Sequence, residues 1–154
     1  MEEELTKKYY ENMDVFSFLM KNCLDSNPKS EEIDFQGTHK KTKAFVVENP
    51  SILKNQRKNA IIWLNSVWYH IDGLSVVWLF EMSYRIRKLI AVLITLERLN
   101  LESFGGKPEK CDIPQSIVYV YNKLMDLEEK VFPKMREDFI AMVEKYNVFE
   151  NYYK

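Results

Sequence analysis

Eleven apolar residues recur at helical spacing between residues 60 and 96: Ala60, Leu64, Val67, Ile71, Leu74, Trp78, Met82, Ile86, Leu89, Leu93 and Leu96. Their steps run 4, 3, 4, 3, 4, 4, 4, 3, 4, 3, a heptad-like seam with one four-residue stutter at 78–86. Such spacing puts all eleven on one face of a helix with ~3.6 residues per turn. Trp63, Val77, Phe80 and Ile90 add apolar surface on other faces. A helix that is apolar most of the way round belongs at the centre of its domain. Asn49-Pro50 opens the run, because asparagine caps free N–H groups and proline fits the first helical position. The pattern ends near Asn100. The expected fold is all-α, a bundle of four to six helices around a long central segment at about 50–100.

Gly73 interrupts this run. Two readings follow. One is a single helix of some fifty residues, ~75 Å long at 1.5 Å per residue, which would outgrow a small globule and imply a dimer. The other is two helices meeting at Asp72-Gly73, where glycine supplies a C-cap and turn. Ordinary helix lengths favour a break at 72–74.

The flanks read as follows. Residues 3–24 form an amphipathic helix with Leu5, Tyr9, Met13, Phe16, Met20 and Cys23 or Leu24 inward. Asn27-Pro28 stops it. Residues 26–48 are expected to be loop or irregular connector, with Gly37-Thr38-His39-Lys40-Lys41 a loop; Ala44-Phe45-Val46-Val47 has strand-like side chains but no partner strand and reads as an extended or helical connector. A second connector covers 101–113. Asp112 then caps a helix that buries Val118, Tyr121, Leu124 or Met125, and Val131 or Phe132. Pro133 kinks or breaks it, and a last helix at 134–147 buries Phe139, Met142, Val143 and Tyr146. The aromatic tail 149–153 is expected to dock. The whole, 1–154, reads as one helical domain.

At 154 residues the chain can bury ~70% of its unfolded surface and needs no metal or disulfide to hold a core. The net charge of −1 implies no partner, but its distribution is uneven. Residues 1–34 carry nine acids against four bases, 35–94 nine bases against three acids, and 95–154 eleven acids against nine bases. The two cysteines, Cys23 and Cys111, form no C-x-x-C pair. With the acidic start Met1-Glu2-Glu3-Glu4 and no N-x-[ST] acceptor, they favour an intracellular, cytoplasmic protein. No membrane span is expected: Asn65, His70 and Asp72 interrupt 60–80, and 89–96 is too short.

Catalytic templates fail. Gly105-Gly106-Lys107 lacks the first Walker A glycine and has Pro108 where Ser or Thr would hold Mg²⁺. His39 and His70 are 31 residues apart, and there is no H-E-x-x-H, E-x-x-H or G-x-S-x-G. No metal or cofactor is implied.

Two places remain for function. Inside the apolar run stand Asn65, Ser66, Tyr69, His70, Asp72, Glu81 and Arg85. A histidine beside carboxylates can do acid–base work, so His70, Asp72, Glu81 and Arg85 are the weak catalytic candidates. The plainer reading is a structural polar network. The second place is basic: His39, Lys40, Lys41 and Lys43, then Lys54, Arg57 and Lys58 at i, i+3, i+4. Lys40, Lys41, Lys43, Lys54, Arg57 and Lys58 are the polyanion-binding candidates. The plainer reading is a solvated face paired within the chain. A smaller basic group is Arg85, Arg87 and Lys88.

The leading expectation is a non-enzymatic helical interaction module or homo-oligomeric subunit, a homodimer or the binder of another protein, with nucleic-acid contact through 38–58 as an extension. The alternative is a small-molecule binder or enzyme centred on His70, Asp72, Glu81 and Arg85.

Overall fold

In a computed structural model the seam residues Ala60 through Leu96 are all buried, all eleven of them. The structure describes residues 1–24, 33–48, 52–103 and 114–152; side chains are described within these except at 52–56, 100–103 and 146–152. Among the described residues the chain is all-helical, with seven α-helices and no strand. They are α1 (Glu2–Glu11), α2 (Met13–Cys23), α3 (Phe35–Glu48), α4 (Ile52–His70), α5 (Val76–Ser103), α6 (Gln115–Lys130) and α7 (Phe132–Tyr152), with a 3-10 turn at Ile71–Gly73 between α4 and α5. Two compact units divide the chain, Met1–Tyr121 and Asn122–Lys154.

The central run is broken, not continuous. His70 takes φ −101°, ψ 0°, and Leu74 is extended at φ −83°, ψ 140°. Leu74 N–H donates back to the Ile71 carbonyl at 3.4 Å. Ile71 and Leu74 are both buried, so the seam keeps facing the core through the turn. The fifty-residue rod is therefore excluded. The break does not depend on glycine geometry: Gly73 has no left-handed φ, and a Cβ there would meet only the Met1 side chain at 3.9 Å. The start at Asn49-Pro50 lies outside the described residues.

Three expectations need correction. The N-terminal run is two helices, because Asn12 leaves the helical region at φ −98°, ψ 9° and its side-chain amide donates to the Lys8 carbonyl at 2.8 Å. Phe16 and Cys23 are buried as expected, but Met13 is exposed, and Leu19 is buried where Met20 is only half-buried. Residues 35–48 of the expected connector are helical, and Gly37-Thr38-His39-Lys40-Lys41 is not a loop. Asp34 caps this helix by accepting from Gly37 N–H at 2.9 Å. Its core-facing positions are Thr38 and Thr42, both buried, which an apolar count passes over. In α6 Leu124 is buried, as Phe132 is beyond it, but the first half of the face is Ile117 and Val120, each one residue before the expected Val118 and Tyr121, which are half-buried.

In the first unit α3 packs on α2 and α5, and α4 packs on α1, α2 and α5. One core cluster joins Leu19, Cys23, Leu24, Ala91, Val92 and Leu96, with Phe45 and Val46 of α3 against it. Each buried Leu or Val of this cluster contributes ~1.5–3 kcal/mol. The other corner is aromatic: Tyr9, Phe16 and Trp63 have ring centroids 5.2–5.9 Å apart. Two indoles tie α1 down. Trp63 Nε1 donates to the Leu5 carbonyl at 3.1 Å, and Trp78 Nε1 donates to Thr6 Oγ1 at 2.8 Å. In the second unit Val131 forms the turn before Pro133, and Arg136 grips Glu128 with two 2.6 Å contacts across it.

Candidate functional site

The polar set of the central run lies on the surface. Asp72, Glu81 and Arg85 are exposed and His70 is half-buried. Among the described residues no hydrogen bond or ion pair joins His70 to Asp72, Glu81 or Arg85. His70 instead meets the edge of Tyr69, with ring centroids 4.9 Å apart. Arg85 Nη1 donates to the Glu81 backbone carbonyl at 2.9 Å rather than to its carboxylate. Asp72 accepts from the Tyr119 hydroxyl at 3.3 Å, and Asn65 accepts from the Ser116 hydroxyl at 2.8 Å. These two bonds tie the start of α6 to α4 and the 3-10 turn. Because the carboxylates are solvated, no cost of burying charge has to be offset here.

Of the three tryptophans, Trp63 and Trp78 are core and Trp68 is exposed. Trp78 borders an open concavity of about 420 Å³ with Glu2, Thr6, Lys7 and Tyr10. Trp63 borders another of about 270 Å³ with Lys8, Asn12, Ile62 and Ser66. Neither is lined by His70, Asp72, Glu81 or Arg85. Burial pushes the Tyr9 hydroxyl up, and the Arg85 charge opposes that. Among the described residues no group of His, Cys, Asp and Glu is placed to hold a metal ion, and no helix is long and apolar enough to cross a membrane.

The basic candidates divide into engaged and open residues. Lys41 Nζ donates to the Leu24 carbonyl at 3.1 Å, and Thr42 Oγ1 donates to the Cys23 carbonyl at 3.1 Å. Both satisfy carbonyls that the last turn of α2 leaves without helical partners. Arg57 pairs with Glu97 across α4 and α5. Lys40 and Lys43 on α3, and Lys58 on α4, are exposed and make no ion pair among the described residues. The Lys54 side chain lies outside the described residues. Of the smaller group, Lys88 sits 3.8 Å over the Tyr84 ring, and Arg87 is buried at 9% exposure.

A third surface was hidden by its own pattern. Phe139, Met142 and Val143, expected in the core, are 56%, 48% and 38% exposed. Ile140 is 56% exposed beside them. The amphipathic spacing was legible, but amphipathicity says only that a face wants cover, not that its own chain supplies it. The side chain of Tyr146 and those of the tail lie outside the described residues, although the helix backbone continues to Tyr152.

No family model matches this chain, and neither a curated protein nor a solved structure matches it.

Proposed function

We propose that the protein is a non-enzymatic helical interaction module, a partner-binding or homo-oligomeric subunit, whose contact face is the apolar stripe of α7. The observation that carries this reading is the exposure of Phe139, Ile140, Met142 and Val143 on one 21-residue helix. Contiguous exposed apolar side chains on a folded chain mark a surface that is covered in use. Their opposite face carries Lys134, Glu137 and Glu144, as a helix lying on a partner requires. Phe139→Glu with Val143→Glu tests it. If the stripe is a contact face, the doubly substituted protein unfolds at the same denaturant concentration as the parent when both are measured at protein concentrations too low for the parent to associate. A fall in midpoint equivalent to more than ~2 kcal/mol would show the stripe to be part of this chain's own core, and the reading would be lost.

Nucleic-acid contact through 38–58 is a second reading, supported by the exposed Lys40, Lys43 and Lys58. Lys41 and Arg57 contribute less to it, being engaged within the chain. Binding to a generic RNA should weaken steeply with salt and be lost in Lys40→Glu/Lys43→Glu; salt-insensitive binding would end this reading. A small-molecule or enzymatic site at His70, Asp72, Glu81 and Arg85 has less support, since among the described residues no hydrogen bond or ion pair joins His70 to the other three.

A further inference from the structure

Resting on the reading of α7 as a contact face, we infer that its occupant is α7 of a second copy of this chain, lying antiparallel. The sequence of α7 carries apolar residues at Phe132, Met135, Phe139, Met142, Tyr146 and Phe149, with steps 3, 4, 3, 4, 3. That is the a/d seam of a two-stranded coiled coil, held for almost three heptads. Phe132 is buried and Met135 half-buried, whereas Phe139 and Met142 are open, so among the described side chains the seam is uncovered at Phe139 and Met142.

The charges beside that open part select the partner. With Phe139 at an a position and Met142 at d, the residues flanking the seam on one side are Asp138 and Lys145, both exposed. An antiparallel pair in register about the Phe139–Met142 midpoint sets Phe139 of each copy against Met142 of the other. The same two-fold axis brings Asp138 of each copy beside Lys145 of the other. One acid and one base placed about the centre make the helix complementary to itself, and the symmetry forms the contact twice. Asp138 already holds Lys134 of its own helix at 2.9 Å, a solvent-exposed pair that competes little. A parallel pair would set Asp138 against Val143 and Lys145 against Glu150, five places on in each case, so only the antiparallel pair gives Asp138 a charged partner.

Charge exchange tests the arrangement on the full chain by sedimentation velocity over a concentration series. Lys145→Glu and Asp138→Lys should each raise the dimer dissociation constant about tenfold or more, since each sets like charges together twice. The double exchange Asp138→Lys/Lys145→Glu should restore it to within about threefold of the parent. Circular dichroism of each variant checks that α7 stays helical when the Lys134–Asp138 pair is lost. A parent chain that is monomeric throughout overturns the inference. So does a double exchange no tighter than the single ones. Either failure leaves the contact-face reading standing if Phe139→Glu/Val143→Glu keeps the parent's stability at concentrations where the parent is monomeric, and loss of stability under those conditions removes the reading itself.

Discussion

Ser75 donates its backbone N–H to the Glu2 carboxylate at 2.6 Å, joining the first turn of α1 to the cap of α5. Ser75 Oγ in turn accepts from Trp78 N–H at 3.2 Å. In a local capping box the carboxylate would come from the third helical position, but that position is Trp78. Glu2 takes the role from 73 residues away. A local helix signal thereby becomes a tertiary contact, and it pins α1 beside the turn that breaks the central run.

This contact sets a pH dependence. The Ser75 backbone N–H, with its side chain second, holds the Glu2 carboxyl below the usual carboxylate range. A lowered native value means that the contribution is present above the unfolded value and is lost as pH falls through the native one. Glu2→Gln keeps an acceptor but not the charge. Its stability should approach the parent's in acid and fall below it toward neutrality. Urea melts across the acid limb check this; parallel limbs for the two proteins would refute it.

Gly73 leads to a prediction opposite to the one its sequence position suggests. A glycine that supplied a left-handed turn would resist substitution. Here the turn is made by His70 and Leu74, and a Cβ on Gly73 meets nothing nearer than 3.9 Å. Gly73→Ala should therefore be neutral or stabilise by ~0.4–1 kcal/mol, by narrowing the unfolded ensemble. Thermal melts read the sign, and a loss above ~1 kcal/mol would contradict it.

The contrast shows where the sequence was readable. A seam of large apolar residues keeps one phase through a 3-10 turn, so the central element and its buried face were legible from Ala60 to Leu96. The helix α3 was not, because Thr38 and Thr42 bury methyl groups while their hydroxyls find carbonyl or other partners, and a hydropathy pattern counts them as polar. Met13 was misplaced because the buried phase runs Leu5, Tyr9, Phe16, Leu19, Cys23 and passes through Asn12, a polar residue that an apolar count skips in favour of its neighbour. Phe139 was misplaced for a different reason: spacing identifies a face to be covered, and only the packed structure shows whether its own chain covers it. The surface candidates suffered likewise. His70 and Asp72 are near in sequence, but the 3-10 turn leaves Asp72 to Tyr119 and His70 to Tyr69.

Thr42 should control access to Cys23. The thiol is fully buried, and burial pushes it up, with the Thr42 hydrogen bond opposing. Alkylation then requires local opening of the α2–α3–α5 core. Thr42→Val keeps the shape but leaves the Cys23 carbonyl without its hydroxyl donor, at a cost of ~1–2 kcal/mol. Opening should become ~5–30-fold more frequent. Alkylation rates at Cys23 in a Cys111→Ser background measure it, and an unchanged rate would mean that the hydroxyl does not hold α2 against α3.

Trp63 separates packing from hydrogen bonding at the α1 contact. Its ring packs against Tyr9 and Phe16, and its Nε1 donates to the Leu5 carbonyl. Trp63→Phe removes the donor and part of the ring, leaving a carbonyl within α1 that has its helical partner. Trp63→Ala removes the whole ring from a site 3% exposed. The first should cost ~1–2 kcal/mol and the second ~3–5 kcal/mol. Equal losses would mean that the indole N–H, not the aromatic corner, holds α1 to α4. Denaturant unfolding followed by circular dichroism measures both without using the tryptophan signal that the substitutions alter. Hydrogen exchange in α1 should rise more than in α5 for either variant, because α1 is anchored at this corner and α5 is packed along the length of the seam.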